Sequence, residues 1–258
     1  GSVSGAASRR VSLEVGLRRA LDGGEMRLHY QPLVGINREI RGFEALARWQ
    51  HPERGLVMPA EFIPVAEETG LILRLGEWVL REGCRRLEAL RRSTQRPLTL
   101  SINVSVHQLR TPGFARRVAE VLSETGLPAA ALRIGITERV LTEENGAASS
   151  VLVDLAALGV QIAIDDFGTG FSSLSYLSRF QIGAVKIDRS FVCRLPECGK
   201  AAAIVTAILA MAQGLRLDVV AEGVETEAQE TFLRERGCEL MQGYLFGFPE
   251  PDPMVGAG

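Results

Sequence analysis

Short apolar segments with strand character recur along this chain, and longer amphipathic segments of helical period lie between them. The strand segments are 28–33, 40–49, 98–104, 132–136, 161–164, 184–187, 217–221 and 240–242. The helical segments are 62–68, 71–92, 112–125, 147–158, 173–180, 200–214 and 227–236. A parallel strand pair needs a crossover of a dozen or so residues, usually a helix, so this alternation specifies βαβ units. The first two strands are joined by residues 34–39 alone, too few for a crossover, and are expected to be antiparallel. Eight strands in 258 residues suit an α/β fold, a (β/α)8 TIM-like barrel with an antiparallel first strand. An open doubly wound sheet is the rival, but no GxGxxG or Walker pattern opens any unit, and Gly168-Thr169-Gly170 matches neither. No Pro/Ser-rich linker divides the chain. A single domain over 1–258 is expected, with Gly1-Ser2 read as a tag scar and residues 1–10 as scar and linker.

Composition narrows the function classes. Hydrophobic residues make up 46% of the chain, enough for a large core. Lys plus Arg is 29 against 31 for Asp plus Glu, so the basic footprint of a DNA-binding surface is missing and DNA is not an expected partner. A phosphate ligand stays open, because a local metal ion can supply the positive charge. No apolar run reaches the roughly 18 residues of a membrane span. A cytoplasmic domain is expected, in a full-length protein that can still be membrane-tethered elsewhere. Cys84, Cys193, Cys198 and Cys238 lack CxxC spacing and read as free thiols of a reducing compartment.

Barrel chemistry belongs at the C-terminal strand ends, and polar residues collect there. Side chains alternate along a strand, so Glu44, Leu46 and Arg48 share a face, as do Thr99, Ser101, Asn103 and Ser105. Later strands end at Asp165-Asp166, at Lys186 with Asp188, at Glu222 and at Gln242. One such residue is an ordinary solvated strand end, but five or more in one topological position define a candidate site. Glu44, Asn103, Asp165, Asp166 and Glu222 are hard oxygen donors, suited to Mg2+ or Mn2+ rather than zinc. Two such ions about 4 Å apart clamp the attacking and leaving oxygens in phosphoryl transfer. Lys186 could orient water or offset developing charge, and Arg48 could hold a phosphate oxygen. His29, His51 and His107 are not placed as bases.

These residues fall into motifs. They are Tyr30-Gln31-Pro32; Glu44-Ala45-Leu46-Ala47-Arg48-Trp49; Phe62-Ile63-Pro64 with Ala66-Glu67-Glu68-Thr69-Gly70; and Asn103-Val104-Ser105. Asp165-Asp166-Phe167-Gly168-Thr169-Gly170, Lys186-Ile187-Asp188, Ala221-Glu222-Gly223-Val224-Glu225 and Gln242-Gly243-Tyr244-Leu245-Phe246-Gly247 follow. In this order they resemble the EAL domain family over nearly the whole chain, from about Val11 to Pro251. The resemblance implies a phosphodiesterase that hydrolyses cyclic di-GMP to linear pGpG at a two-ion Mg2+ or Mn2+ site. By position it implies metal ligation by Glu44, Asn103, Asp165, Asp166 and Glu222, with Lys186 on the catalytic water; Lys186, Glu222 and Glu44 are then the catalytic group. Gln31, Leu46, Arg48 and Gln242 would contact the dinucleotide. The loop from Asp166 through Thr169 would close on substrate beside a homodimer interface, with Glu138 anchoring it and Glu225 supporting the site. An upstream sensory or GGDEF-type domain is also implied.

One position departs from the family. Where its E-x-T-E segment begins with a metal-ligand Glu, this chain reads Gly135-Ile136-Thr137-Glu138. Glu138 is no replacement, since three positions along a strand it faces the other way. Water can complete a Mg2+ shell, but the lost charge weakens that ion's binding. Gln181 and Phe248 are smaller departures, where the family has Pro and a small or polar residue. The sequence therefore supports two readings: an active hydrolase, weakened at Gly135, or an impaired cyclic di-GMP receptor that signals through a partner.

Overall fold

The structure is a computed structural model. It describes residues 2–141, 147–170, 177 and 179–253; the side chains of 2–9 and 147 fall outside the description. The chain runs α1 (Ser2–Gly23), β1 (Met26–Val34), β2 (Ile40–His51), β3 (Gly55–Val57), α2 (Pro59–Glu68), α3 (Ile72–Thr94), β4 (Thr99–Asn103), α4 (Val106–Leu109) and α5 (Phe114–Thr125). It continues β5 (Leu132–Thr137), α6 (Ala147–Ala157), β6 (Gln161–Phe167), β7 (Ala184–Ile187), α7 (Arg189–Val192), α8 (Gly199–Leu215), β8 (Asp218–Glu222), α9 (Glu227–Glu235) and β9 (Leu240–Gln242).

Eight of these strands close a barrel. From β2 through β4, β5, β6, β7 and β8 to β9 every neighbouring pair is parallel. β1 closes the ring antiparallel to both β2 and β9. Its register on β2 runs from Met26 opposite Trp49 to Val34 opposite Ile40, as the short connection requires. β3 folds back as a hairpin onto β2.

The helices form by familiar means. In α3, Ile72, Leu75, Val79, Leu80, Cys84 and Leu87 are buried on one stripe at helical spacing. Capping boxes start α4, from Ser105 with Gln108, and α9, from Thr226 with Gln229. Trp49, fully buried on β2, meets Phe62 of α2 edge-on at 6.3 Å and donates its indole N–H to Glu25 at 3.0 Å. That contact fixes α2 against the barrel wall. The barrel floor is polar: buried Arg133 on β5 donates to Gln161 at 2.9 Å and to Asp218, across the barrel on β8, at 2.7 Å.

Four described elements are missing from the sequence reading. α1 runs through residues read as linker, and among the described residues its buried side chains are Leu13, Leu17 and Ala20, a stripe too sparse to stand out. β3 has three residues, and α4 and α7 have four each, below the length at which periodicity is legible. The helix expected over 173–180 falls largely outside the described residues. All four cysteines are free thiols.

Candidate active site

All eight barrel strands deliver side chains to one cavity. Glu44 on β2 lies opposite Gln31 on β1 in register, Thr137 on β5 beside Asp165 on β6, and Glu222 on β8 beside Gln242 on β9. Residues at matching heights on neighbouring strands share a face, so these side chains converge inside the rim. They line a cavity of about 460 Å3 together with Leu46, Asn103, Asp166 and Lys186.

Asp165 and Asp166 are consecutive, and a regular strand would point them to opposite faces. The β6–β7 register shifts between Ile164 and Phe167, and Asp166 takes a left-handed φ of 54°. This bulge turns both carboxylates toward the cavity, and such backbone strain collects at functional sites. Gly243 follows Gln242 because the chain there passes the backbone of Val224 so closely that a Cβ would lie 2.0 Å from its carbonyl oxygen.

Lys186 is at the centre. It is 1% exposed, and its Nζ lies 2.5 Å from Glu222 Oε1, 2.8 Å from Asp165 Oδ1 and 3.1 Å from Glu44 Oε1. Gln242 donates from Nε2 to Glu44 at 2.5 Å and to Gln31 at 2.9 Å, and Asn103 donates to Glu44 at 2.9 Å. Burial opposes charge on Lys186, but the three carboxylates hold its pKa well above the ordinary value. Burial also opposes charge on Glu44, and Lys186 with the two amide donors nevertheless keeps it below its usual range. Burial pushes Asp165 up, helped by Glu44, and pushes Glu222 up to about 8, in both cases against Lys186. Asp166 is raised by burial and by the facing Asp188.

One ammonium among three carboxylates leaves the cluster short of positive charge, which adds to burial in raising Glu222. The Asp165 Oδ1 and Gln242 Oε1 atoms are buried without a well-aligned donor. Hard oxygen donors, surplus negative charge and orphaned acceptors fit a divalent cation. Among the described residues the carboxylates ring the ammonium, and no three Asp, Glu, His or Cys side chains are gathered on a common point as a finished metal cage.

The remaining expected residues are placed as follows. Leu46 lines the cavity half-buried. Arg48 is buried beside it without lining it, and its guanidinium donates to the carbonyl of Ala47 at 2.9 Å. Glu225 lines the cavity and accepts from Arg189 at 2.7 Å. Thr169 donates its hydroxyl to the Asp166 carbonyl at 2.8 Å, closing the turn after β6. Glu138 is buried with both carboxylate oxygens unpartnered, 3.0 Å from where a Cβ on Gly170 would sit. The histidines line no part of the cavity. Sequence reasoning missed Thr137, Arg189 and Tyr244 as cavity residues. Arg189 and Tyr244 sit two or three positions past the motif residues Lys186 and Gln242, where loop residues carry function; that position was the available signal. Tyr244 stacks on Phe248 at 4.5 Å, with Arg189 over its other neighbourhood at 5.9 Å.

A closed α/β barrel with an acidic, lysine-centred pocket at its C-terminal rim defines the class. Residues 14–249 match the family model described as EAL domain, and this chain belongs to that family. It is 47% identical over 243 residues to an uncharacterized signaling protein of Caulobacter vibrioides, covering 94% of this chain and 30% of that protein. It is 43% identical over 246 residues to the cyclic di-GMP phosphodiesterase NbdA of Pseudomonas aeruginosa, covering 95% of this chain and 31% of NbdA. It is 41% identical over 239 residues to the cyclic di-GMP phosphodiesterase PdeR of Escherichia coli, covering 93% and 36%. The structure of PaMucR phosphodiesterase in complex with c-di-GMP superposes with a TM-score of 0.89 at 43% identity, covering 93% of this chain and 98% of that one. The chain thus spans about a third of the length of these curated relatives.

Proposed function

We propose that this domain hydrolyses cyclic di-GMP to linear pGpG with Mg2+ or Mn2+. The observation that carries the reading is the convergence of Glu44, Asp165 and Glu222 on Lys186 Nζ at the strand ends. Relatives named cyclic di-GMP phosphodiesterases support the substrate. Glu44, Asn103, Asp165, Asp166 and Glu222 would hold the cations, which when bound supply charge neutralisation at the phosphodiester and a more acidic water.

The chain's own groups do the rest. Lys186 Nζ has three donors and no acceptor, so it holds the water oxygen by donation and offsets charge developing on the phosphoryl oxygens. Gln242 and Asn103 fix Glu44 in place through their amides. Gln31, Leu46, Arg48 and Gln242 hold the dinucleotide. Water oxygen adds to phosphorus, the bond from phosphorus to the 3′ oxygen breaks, and a 5′-phosphate and a 3′-hydroxyl result. The loop from Asp166 to Gly170 closes over the ligand above Glu138, and Glu225 steadies Arg189 at the rim. A homodimer and an upstream sensory or GGDEF-type domain belong to the same proposal. Relatives that extend far beyond the matched segment support the latter. No described helix is long and apolar enough to cross a membrane, and we place the domain in the cytoplasm.

Gly135 favours a second reading, a receptor that binds without cleaving. Its Cβ position lies between Asn103 Oδ1 and Asp165 Oδ2, where a carboxylate would join the ligand set. Turnover with Mg2+ and Mn2+, beside ligand binding measured in Ca2+, separates the two. Product in the first assay supports the hydrolase. Retained micromolar binding with no product over hours would replace it with the receptor.

A further inference from the structure

The antiparallel first strand decides where the helix before it meets the barrel. Met26, the first residue of β1, lies opposite Trp49 near the end of β2. α1 therefore arrives at the C-terminal rim, the end at which barrel chemistry collects, and not at the floor. Trp49 is the neighbour of Arg48 and stands three positions past Leu46, both on the strand that also carries Glu44.

α1 is seated on Trp49. Gly16 passes so close to the ring that a Cβ there would lie 2.9 Å from Trp49 Cη2. Glu25, at the corner between α1 and β1, accepts the indole N–H through Oε2 at 3.0 Å, and its Oε1 lies 3.7 Å from Arg19 Nε on α1. The backbone of Glu25 joins the same elements. Its N–H donates to the Ala20 carbonyl at 3.0 Å, and its carbonyl accepts from the Gln50 N–H at 2.9 Å. Arg10 of α1 pairs with Glu68 of α2, the helix whose Phe62 meets Trp49.

The seat is narrow. α1 has 22 residues, and among the described ones its buried side chains are Leu13, Leu17 and Ala20. An element with so few buried contacts opens at a lower free energy than the barrel that carries it. Opening would uncover Trp49, which is fully buried, and release the stretch of β2 that holds Leu46 and Arg48. Asp165, Lys186 and Glu222 stand on other strands and keep their places.

We propose that Trp49 is a positioning residue and α1 a latch: docking of α1 on Trp49 holds Leu46 and Arg48 ready for the ligand, and release of α1 lowers ligand affinity. This rests on the cyclic di-GMP reading above and names a regulation of that site. By linkage, the ligand favours the docked state by the same factor by which docking favours the ligand. The upstream domain included in that reading would act by drawing α1 away or letting it seat.

The chain has two tryptophans, so Trp78→Phe leaves Trp49 as the reporter. In that background the fluorescence of Trp49 should resist quenching by acrylamide. Gly16→Leu forces α1 off the ring, and Glu25→Ala removes the acceptor of the indole N–H. Each should open Trp49 to the quencher and raise the KM for cyclic di-GMP with Mn2+ about tenfold. In both, kcat should stay within about threefold of the background. Glu25→Gln keeps an oxygen acceptor and should behave as the background does. Saturating cyclic di-GMP in Ca2+ should restore the protection of Trp49 in the loosened variants, a response that a merely structural role does not give. Thermal melts confirm folding, and Glu25→Ala carries the test where Gly16→Leu does not fold. Three results overturn the inference while the enzyme reading stands: an uncovered Trp49 with unchanged KM, a raised KM without ligand-restored protection, or a Trp49 that stays protected in both variants. If the background protein neither binds nor cleaves cyclic di-GMP, the functional reading falls and this inference falls with it.

Discussion

The side-chain oxygen of Asn103 stands 2.6 Å from the place a first side-chain carbon on residue 135 would occupy, with Asp165 Oδ2 3.1 Å away on the other side. Gly135 and Asn103 are thus a matched pair. The bare backbone at 135 gives the Asn103 amide room to donate to Glu44. Any side chain at 135 has to displace the end of Asn103, a flexible group that can rotate.

Gly135→Glu should tighten Mn2+ binding by about tenfold and raise turnover, because one more carboxylate faces a cation. Gly135→Ala pushes Asn103 away from Glu44 without adding a charge, and turnover should fall. Calorimetric titration with Mn2+ beside initial rates reads both. Equal behaviour of the two variants would refute the placement of residue 135 in the ligand set.

Lys186→Met strips the shared ammonium from Glu44, Asp165 and Glu222. Leaving buried charge unpaired costs about 3 kcal/mol, so Tm at pH 7 should fall by roughly 6–12 °C. Millimolar Mn2+ should restore more of that loss than it adds to the wild type, and turnover should be lost. A melting scan with and without metal checks this; an unchanged Tm would contradict the lysine-centred cluster.

Arg48 illustrates function set against stability. It is buried, its guanidinium is bonded to the carbonyl of Ala47, and burial draws its pKa below the usual value. Desolvating such a group is costly. Arg48→Met should weaken cyclic di-GMP binding by more than tenfold while raising stability by about 1 kcal/mol. Urea unfolding beside ligand titration tests the pair of effects, and a destabilised variant with normal binding would reverse the assignment.

Arg38 on the β1–β2 connection clamps Glu230 of α9, donating from Nε at 3.0 Å and Nη2 at 2.5 Å. These hydrogen bonds hold Glu230 below its ordinary pKa. A depressed carboxylate stabilises the fold above the unfolded-state value of about 4.3, and that contribution disappears as pH falls through the folded value. The half-exposed Arg38 keeps that contribution small. Glu230→Gln should therefore melt about 2–4 °C lower at pH 7 and match the wild type near pH 3. A gap that persists at pH 3 would assign the effect to packing.

The barrel was legible because its strands are apolar, short and separated by helix-length segments, and because each ends on a polar residue. Glu44, Asn103, Asp165, Asp166, Lys186, Glu222 and Gln242 are brought together in the fold as their strand positions imply. What stayed hidden depends on tertiary placement. The bulge that turns Asp166 inward leaves no mark in an alternation pattern. The partner of Arg133, Asp218 across the barrel, is 85 positions away in sequence, and no local pattern links the two. Arg48 shares a strand face with Glu44 yet sits behind the rim, since alternation fixes a side chain's face and not its depth.

Hydrolysis carried out in H2(18)O with Mn2+ tests the central claim most directly. The account predicts linear pGpG with a single heavy oxygen, in its 5′-phosphate, and none when Glu44→Gln replaces the wild type. Cyclic di-GMP recovered intact from the wild-type reaction would contradict it.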